Sequence, residues 1–244
     1  MIVLLHALGT DRHMWDPVLP FLDGEDVLAL DMPGFGAAPP LAATAGNGGI
    51  TPYALAAAIH ADLQRRGIQR PHVAGNSLGG WVALELAHAG WARSVTAIAP
   101  AGLWAQPLAP KRATARTAAR ALSPALPVLL RSERGRRAAL GGTIARPERV
   151  PYDAALGLVR AYASAPGFDA VNAGMRANRF TGLDEIDVPL TLAWPELDRL
   201  VERPAHVPET AQEHFLAGCG HMPTYDDPEA VARVLRAAQQ PKRT

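Results

Sequence analysis

Three short stretches of this chain hold residue types that do chemistry together: Gly75-Asn76-Ser77-Leu78-Gly79, Glu196-Leu197-Asp198 and Gly220-His221. A serine hydroxyl is a poor nucleophile at neutral pH, so it needs a base, and the base needs an acceptor that fixes its tautomer. The first stretch is G-x-S-x-G. It follows Pro71-His72-Val73-Ala74, which reads as a buried strand, and precedes Trp81–Ala87, which reads as a helix. That setting turns a common five-residue pattern into a specific one. A serine at the tip of so sharp a turn needs a strained backbone and small neighbours, because a Cβ at position 75 or 79 collides across the turn. The turn lifts the Ser77 hydroxyl clear of the sheet. It also places the backbone N–H of Leu78 at a helix start, where an oxyanion can be held.

The chain has eight histidines. His221 is the best base, because it lies in a glycine-flanked loop, Ala217–Pro223, between the last strand and the last helix. His6 also follows a strand, but it reads as a residue that holds the loop shaping the oxyanion site. His60, His72, His88 and His214 fall within elements or at their ends and read as packing or surface residues. Asp198 follows a strand and is the expected partner of His221, with Glu196 two residues earlier. The other usual place for such an acid is the loop after Val95–Ala99, where the first carboxylate, Glu133, is too far along. Elimination therefore favours Asp198. The second oxyanion donor is expected in the loop after the first strand, at the N–H of Leu8. Activity should then rise with pH as His221 gives up its proton, and chelators should have no effect.

The elements that must position these residues are legible as alternating runs. Ile2–Leu5, Asp26–Leu30, 71–74, Val95–Ala99, Val188–Trp194 and, more weakly, Gln212–Leu216 read as strands. Trp15–Leu22 has helical spacing at Trp15, Val18, Leu19 and Leu22, with Pro17 tolerable in a first turn. Residues 37–51 read as a loop. Thr51-Pro52 and Asp227-Pro228 each read as an N-cap followed by proline at the first helical position. Strands separated by helices imply parallel βαβ units. The unusual residues all fall just after strand ends, on the sheet edge where ligands bind.

Composition bounds the rest. The chain has 244 residues, 48% hydrophobic and 19% charged, enough for one large α/β domain with an inserted unit. A net charge of +1 gives no reason to invoke nucleic acid. The single cysteine, Cys219, excludes an internal disulfide and any Cys-based zinc cluster. No apolar run has the length of a membrane span. Met1 runs directly into Ile2-Val3-Leu4-Leu5 without a basic leader, so the reading is a cytoplasmic protein acting on a small molecule. Residues 101–180 hold 13 Lys and Arg against 4 Asp and Glu, while the remainder holds 11 against 19. So sharp a break marks 101–180 as a separate structural unit, and the lack of clear strand runs over 103–180 reads as several short helices. Its basic excess reads first as a solvated helix face and second as a preference for anionic substrates.

The order Ser77, Asp198, His221 on this strand pattern resembles the alpha/beta-hydrolase family, in its cap-bearing branch. His6-Ala7-Leu8-Gly9 resembles the family's H-G-x-G oxyanion loop, with Ala7 in place of the usual glycine. Asp31–Gly36 resembles its D-x-P-G-[FH]-G turn, and Gly218–Pro223 its G-x-G-H loop. The resemblance implies a mostly parallel twisted sheet with helices on both faces. It implies a core of 1–100 and 183–244 with 101–182 as a helical cap, and a hydrolase needing no cofactor and no metal. Serine at position 77 disfavours haloalkane dehalogenase and epoxide hydrolase chemistry, which in this family resembles an aspartate-nucleophile pattern. The expectation is a carboxylic ester or lactone hydrolase working through an acyl-enzyme. A carbon–carbon bond hydrolase with the same triad and a non-enzymatic ligand-binding member are the alternatives. Leu8-Gly9-Thr10-Asp11 with Met14-Trp15-Asp16 resembles the enol-lactonase subgroup and favours esters and lactones.

By the same resemblance, the family's first two strands are missing, since Met1 begins at what is normally the third. Asp26–Leu30 is then an apolar edge without a lysine or proline to discourage pairing. The expectation is a homodimer through this edge, or two strands supplied from upstream, or a loop at 37–50 folded back over it. Light scattering separates these cases.

Overall fold

The computed structural model describes residues 1–41, 49–109 and 114–238. Part of the expected loop at 37–51 lies outside those residues. The sheet has six strands: β1 (Ile2–Leu5), β2 (Val27–Leu30), β3 (His72–Asn76), β4 (Ser94–Ile98), β5 (Leu190–Pro195) and β6 (Gln212–Leu216). Every pairing is parallel, in the order β2-β1-β3-β4-β5-β6, with β2 at one edge. Along β1, Val3 and Leu5 join one core cluster and Ile2 and Leu4 the other. That alternation is the two-residue period of a strand, and it explains why β1 is apolar throughout: both its faces are covered.

One face is covered by α1 (Pro52–Arg65) and α2 (Leu78–His88), the other by the last helix, Pro228–Ala237, and by Met14, Trp15 and Leu22. Thr51 accepts from Ala54 N at 3.1 Å and Asp227 from Ala230 N at 2.8 Å, so both expected N-caps are formed. The expected helix over Trp15–Leu22 is not formed. Two short 3-10 turns, Arg12–Trp15 and Leu19–Leu22, stand there instead. Pro20 removes an N–H that an α-helix would bond to the carbonyl of Asp16, and its ring crowds that carbonyl.

Between β4 and β5 the chain is helical: α3 (Thr114–Ala121), α4 (Leu126–Leu129), α5 (Glu133–Leu140), α6 (Tyr152–Ser164) and α7 (Phe168–Ala177). Most of its described arginines are exposed, as composition suggests, but several also donate to backbone carbonyls. Arg116, 2% exposed, donates to Tyr162 O at 3.1 Å and to Ala165 O, and pairs with Asp169 at 2.6 Å. Arg120 donates to Ala163 O at 2.7 Å. These carbonyls end α6, where the helix leaves acceptors without donors and Pro166 has no N–H to offer Tyr162. Two arginines four apart on α3 thus cap α6, with their charge at the favourable pole of its dipole. Arg136, Arg176 and Arg179 likewise donate to carbonyls, of Leu130, Ala109 and Ala105 respectively.

His72 is fully buried in β3, with Nδ1 2.7 Å from Ser94 Oγ and Nε2 3.2 Å from Thr96 Oγ1. Burial, helped by the charge of Arg93, lowers its pKa from 6.5 to about 4. The unfolded chain therefore takes up a proton that the folded one refuses between these values. Stability should be unaffected by this group above pH 6.5 and fall as pH drops towards 4, by on the order of 3 kcal/mol once both states are protonated. Urea midpoints measured across this window, for the native chain and for His72→Gln, should diverge at neutral pH and converge in acid. Parallel curves would remove His72 as the cause.

Candidate active site

The chain runs from β1 outward to β2 and then returns to β3 on the other side of β1, so the strand order reverses between β1 and β3. The loops leaving their C-terminal ends diverge there and leave a crevice. The elbow residues sit in it. Ser77 has φ 57° and ψ −115°, a left-handed conformation that costs a non-glycine residue on the order of 1–3 kcal/mol. Its backbone is held on both sides: N–H to Ile98 O at 2.9 Å, and C=O from Trp81 N and Ala101 N, each at 3.0 Å. A Cβ at Gly75 would strike the backbone of Gly79, and one at Gly79 would strike the carbonyls of Leu5 and His6. The start of α2 is thus pressed against the end of β1, which brings Leu78 beside the loop that carries Leu8.

That loop is organised by His6, which is fully buried. Its Nε2 accepts from Met32 N at 3.0 Å, and its Nδ1 lies 2.8 Å from Ala7 O. Burial lowers its pKa, so it is a neutral strut between the loops after β1 and β2, as its place in the sequence suggests. Asp31 ties the second loop, accepting from Arg12 N at 2.8 Å and Ala37 N at 2.9 Å. The turn between α6 and α7 packs on both loops. A Cβ at Gly9 would come within 2.7 Å of Tyr162, and one at Gly34 within 2.6 Å of Gly167 Cα.

Asp198 and His221 meet in the loops after β5 and β6. Asp198 Oδ2 is 2.7 Å from His221 Nδ1, with side chains only 4% and 5% exposed. Burial pushes the Asp198 carboxyl up. The hydrogen bond and charge of His221 and the N–H groups of Leu200 and Val201 outweigh it and hold the group below its usual range. Glu196 takes a different part: its Oε2 accepts from Gly218 N at 2.7 Å. Among the described residues no hydrogen bond joins Ser77 Oγ to His221. Asn76 connects the two loops instead, donating from Nδ2 to His221 O and to Ile98 O, both at 3.1 Å. Sequence reasoning gives Asn76 no role, since only the three-dimensional approach of two distant loops supplies its acceptors.

No hydrogen bond within the described residues engages the backbone N–H of Leu8 or Leu78. A cavity of about 400 Å³ opens beside His221, between Leu197 and Arg199 on one side and Arg137 and Thr143 on the other. It reaches the histidine end of the site and is not lined by Ser77, so the chemistry is located by the side-chain geometry rather than by this cavity. Among the described residues no group of three or more His, Cys, Asp or Glu side chains is placed to hold a metal ion. No helix among them is long and apolar enough to cross a membrane.

Residues 2–234 match the model of the alpha/beta hydrolase family. The chain belongs to that family. Its alpha/beta hydrolase relatives include epoxide hydrolase EphH of Mycobacterium tuberculosis, 30% identical over 203 residues, or 74% of this chain and 91% of that one. Among solved structures of the same fold, the enol-lactonase from Burkholderia xenovorans LB400 superposes with a TM-score of 0.70 at 19% identity, covering 97% of this chain and 90% of that one. A thermophilic esterase from Thermogutta terrifontis gives a TM-score of 0.70 at 21% identity, covering 97% and 88%.

Proposed function

We propose that this hydrolase cleaves carboxylic esters or lactones through an acyl-enzyme on Ser77. The observation that carries the reading is the buried Asp198–His221 pair at 2.7 Å, whose histidine loop is fastened to the serine turn through Asn76. His221 takes the Ser77 proton as the hydroxyl attacks the acyl carbon. The tetrahedral oxyanion is held by the N–H groups of Leu8 and Leu78, which have no other partner among the described residues. His221 then gives its proton to the leaving alkoxide. Water, deprotonated by the same imidazole, releases the acid and restores the serine. Asp198 holds Nδ1–H throughout, so that Nε2 is the nitrogen facing the serine. In free enzymes the hydrogen bond from nucleophile to base is commonly long and tightens in the Michaelis complex.

Kinship with an epoxide hydrolase raises the question of epoxide opening. Attack by a serine hydroxyl on an epoxide carbon forms an ether. Unlike the ester that a carboxylate forms, an ether offers no carbonyl for water to attack, so turnover would stop after one event. Acyl substrates avoid this dead end. The test is a burst assay with p-nitrophenyl acetate before and after treatment with a fluorophosphonate. A stoichiometric burst, abolished by the reagent with mass added at Ser77, supports the reading. Turnover that survives complete labelling of Ser77 would sink it.

A further inference from the structure

His221 lies in a loop that is fastened to the helical insertion by a carboxylate the triad does not use. Asp226 belongs to a short helical turn, Pro223–Asp226, and its side chain is fully buried. Oδ2 accepts from Gly220 N, next to His221, and from Ala145 N, both at 2.9 Å. Oδ1 accepts from Arg146 N at 2.9 Å. The clip is doubled from the other side, since Arg146 Nη2 donates to Asp226 O at 2.7 Å and Met222 N donates to Thr143 O at 2.8 Å. Gly220 is what allows so close an approach: a Cβ there would lie 2.8 Å from Ala145 N and 2.9 Å from Thr143 O.

A carboxylate inside a short helix has an easier local use, capping the N–H groups of its own turn. Asp226 does not do this. Its oxygens reach back to position 220 and across about 80 positions of sequence to 145 and 146, joining the residue before the histidine to the link between α5 and α6. The residue on each side of His221 is therefore bonded to this clip, through Gly220 N and Met222 N. The imidazole is left to turn only about its own side-chain bonds, and there Asp198 fixes it.

We propose that Asp226 is a positioning residue for His221, clipping the histidine loop to residues 143–146 so that docking of the helical insertion sets where the imidazole stands. The proposal rests on the serine hydrolase reading for its kinetic test but not for its structural one. Asp226→Asn keeps the shape and one acceptor, while its amide N–H₂ faces N–H donors that the carboxylate accepted. Misplacing a reacting group by about 1 Å costs on the order of 100-fold in rate, so kcat on p-nitrophenyl acetate should fall by about 10- to 100-fold with KM within about twofold. In an Asp198→Asn background, where the histidine already carries its ring proton on the wrong nitrogen and cannot act as base, the same change should cost about threefold or less. A raised KM at unchanged kcat, or a full second loss in that background, overturns the positioning role. Should Asp226→Asn fail to fold, Arg146→Met carries the test from the insertion side, with a kcat loss of several-fold expected and no loss overturning the idea. If the native chain neither hydrolyses the ester nor labels at Ser77, the hydrolase reading fails by itself. NMR of ¹⁵N-histidine protein then decides the clip: His221 ring signals should shift or broaden in both variants while those of His72 hold still. Unchanged His221 signals overturn the proposal.

Discussion

Ser77→Ala should lower ester turnover by on the order of 10³-fold or more while leaving the protein as stable as before. The stability half of this expectation follows from the turn. Alanine keeps the Cβ that already tolerates φ 57°, so the strain is unchanged. The backbone bonds to Ile98, Trp81 and Ala101 do not involve the side chain, and among the described residues no hydrogen bond of Ser77 Oγ is there to be lost. The activity half follows from the division of labour. Without the hydroxyl, His221 has no nucleophile to activate except water, and only the proposed oxyanion donors, the N–H groups of Leu8 and Leu78, remain to stabilise the transition state. Their share is large, about 10²–10³-fold for a single donor, which is why the residual rate should stay above that of free solution. His221→Ala should cost a similar factor, and the double variant little more, because the two residues act as one unit. The measurements are kcat on an activated ester and a thermal melt. Near-full turnover in the folded alanine variant would remove Ser77 from the mechanism, and losses that multiply in the double variant would separate the two residues.

The strands and the elbow are legible in the sequence because they are set by local rules. A strand covered on both faces reads as an unbroken apolar run, as Ile2–Leu5 does, and G-x-S-x-G between a strand and a helix has one geometric solution. The 3-10 turns at Arg12–Leu22 are not read correctly from apolar spacing, because Pro20 overrides a pattern that otherwise fits a helix. The insertion defeats composition in another way. Its arginines look solvated in the sequence, and most of them are, yet Arg116 and Arg120 also end a helix by donating to carbonyls over 40 positions away. Asn76 and Asp226 are illegible for the same reason. Their partners, His221 O for one and the N–H groups of Ala145 and Arg146 for the other, come near them only in the folded chain. Asp198 lies between these cases: elimination picks it out, but only the fold separates its place at His221 from that of Glu196 at Gly218.

That separation makes Asp198→Asn the most demanding test of the site. Oδ1 of Asp198 accepts from Leu200 N at 2.7 Å and from Val201 N at 3.1 Å. An asparagine must keep its oxygen on those two donors, so its amide nitrogen takes the place of Oδ2 and faces His221 Nδ1. A donor there forces Nδ1 to accept, which moves the ring proton to Nε2, the nitrogen that has to receive the proton of Ser77. The histidine is then held in place in the wrong tautomer. The corresponding change in an established triad lowers kcat by about 10⁴-fold with the geometry intact, and a loss of that order is expected here. Glu196→Gln should be far milder, since a glutamine oxygen still accepts from Gly218 N and the bond it keeps lies outside the proton path. Both variants should melt within a few degrees of the native chain, which keeps the comparison one of chemistry rather than folding. Single-turnover kinetics on the activated ester, with the serine count fixed by fluorophosphonate titration, gives the ranking directly. The reverse order, a crippled Glu196→Gln beside an active Asp198→Asn, would move the acid to Glu196 and undo the proton path drawn above.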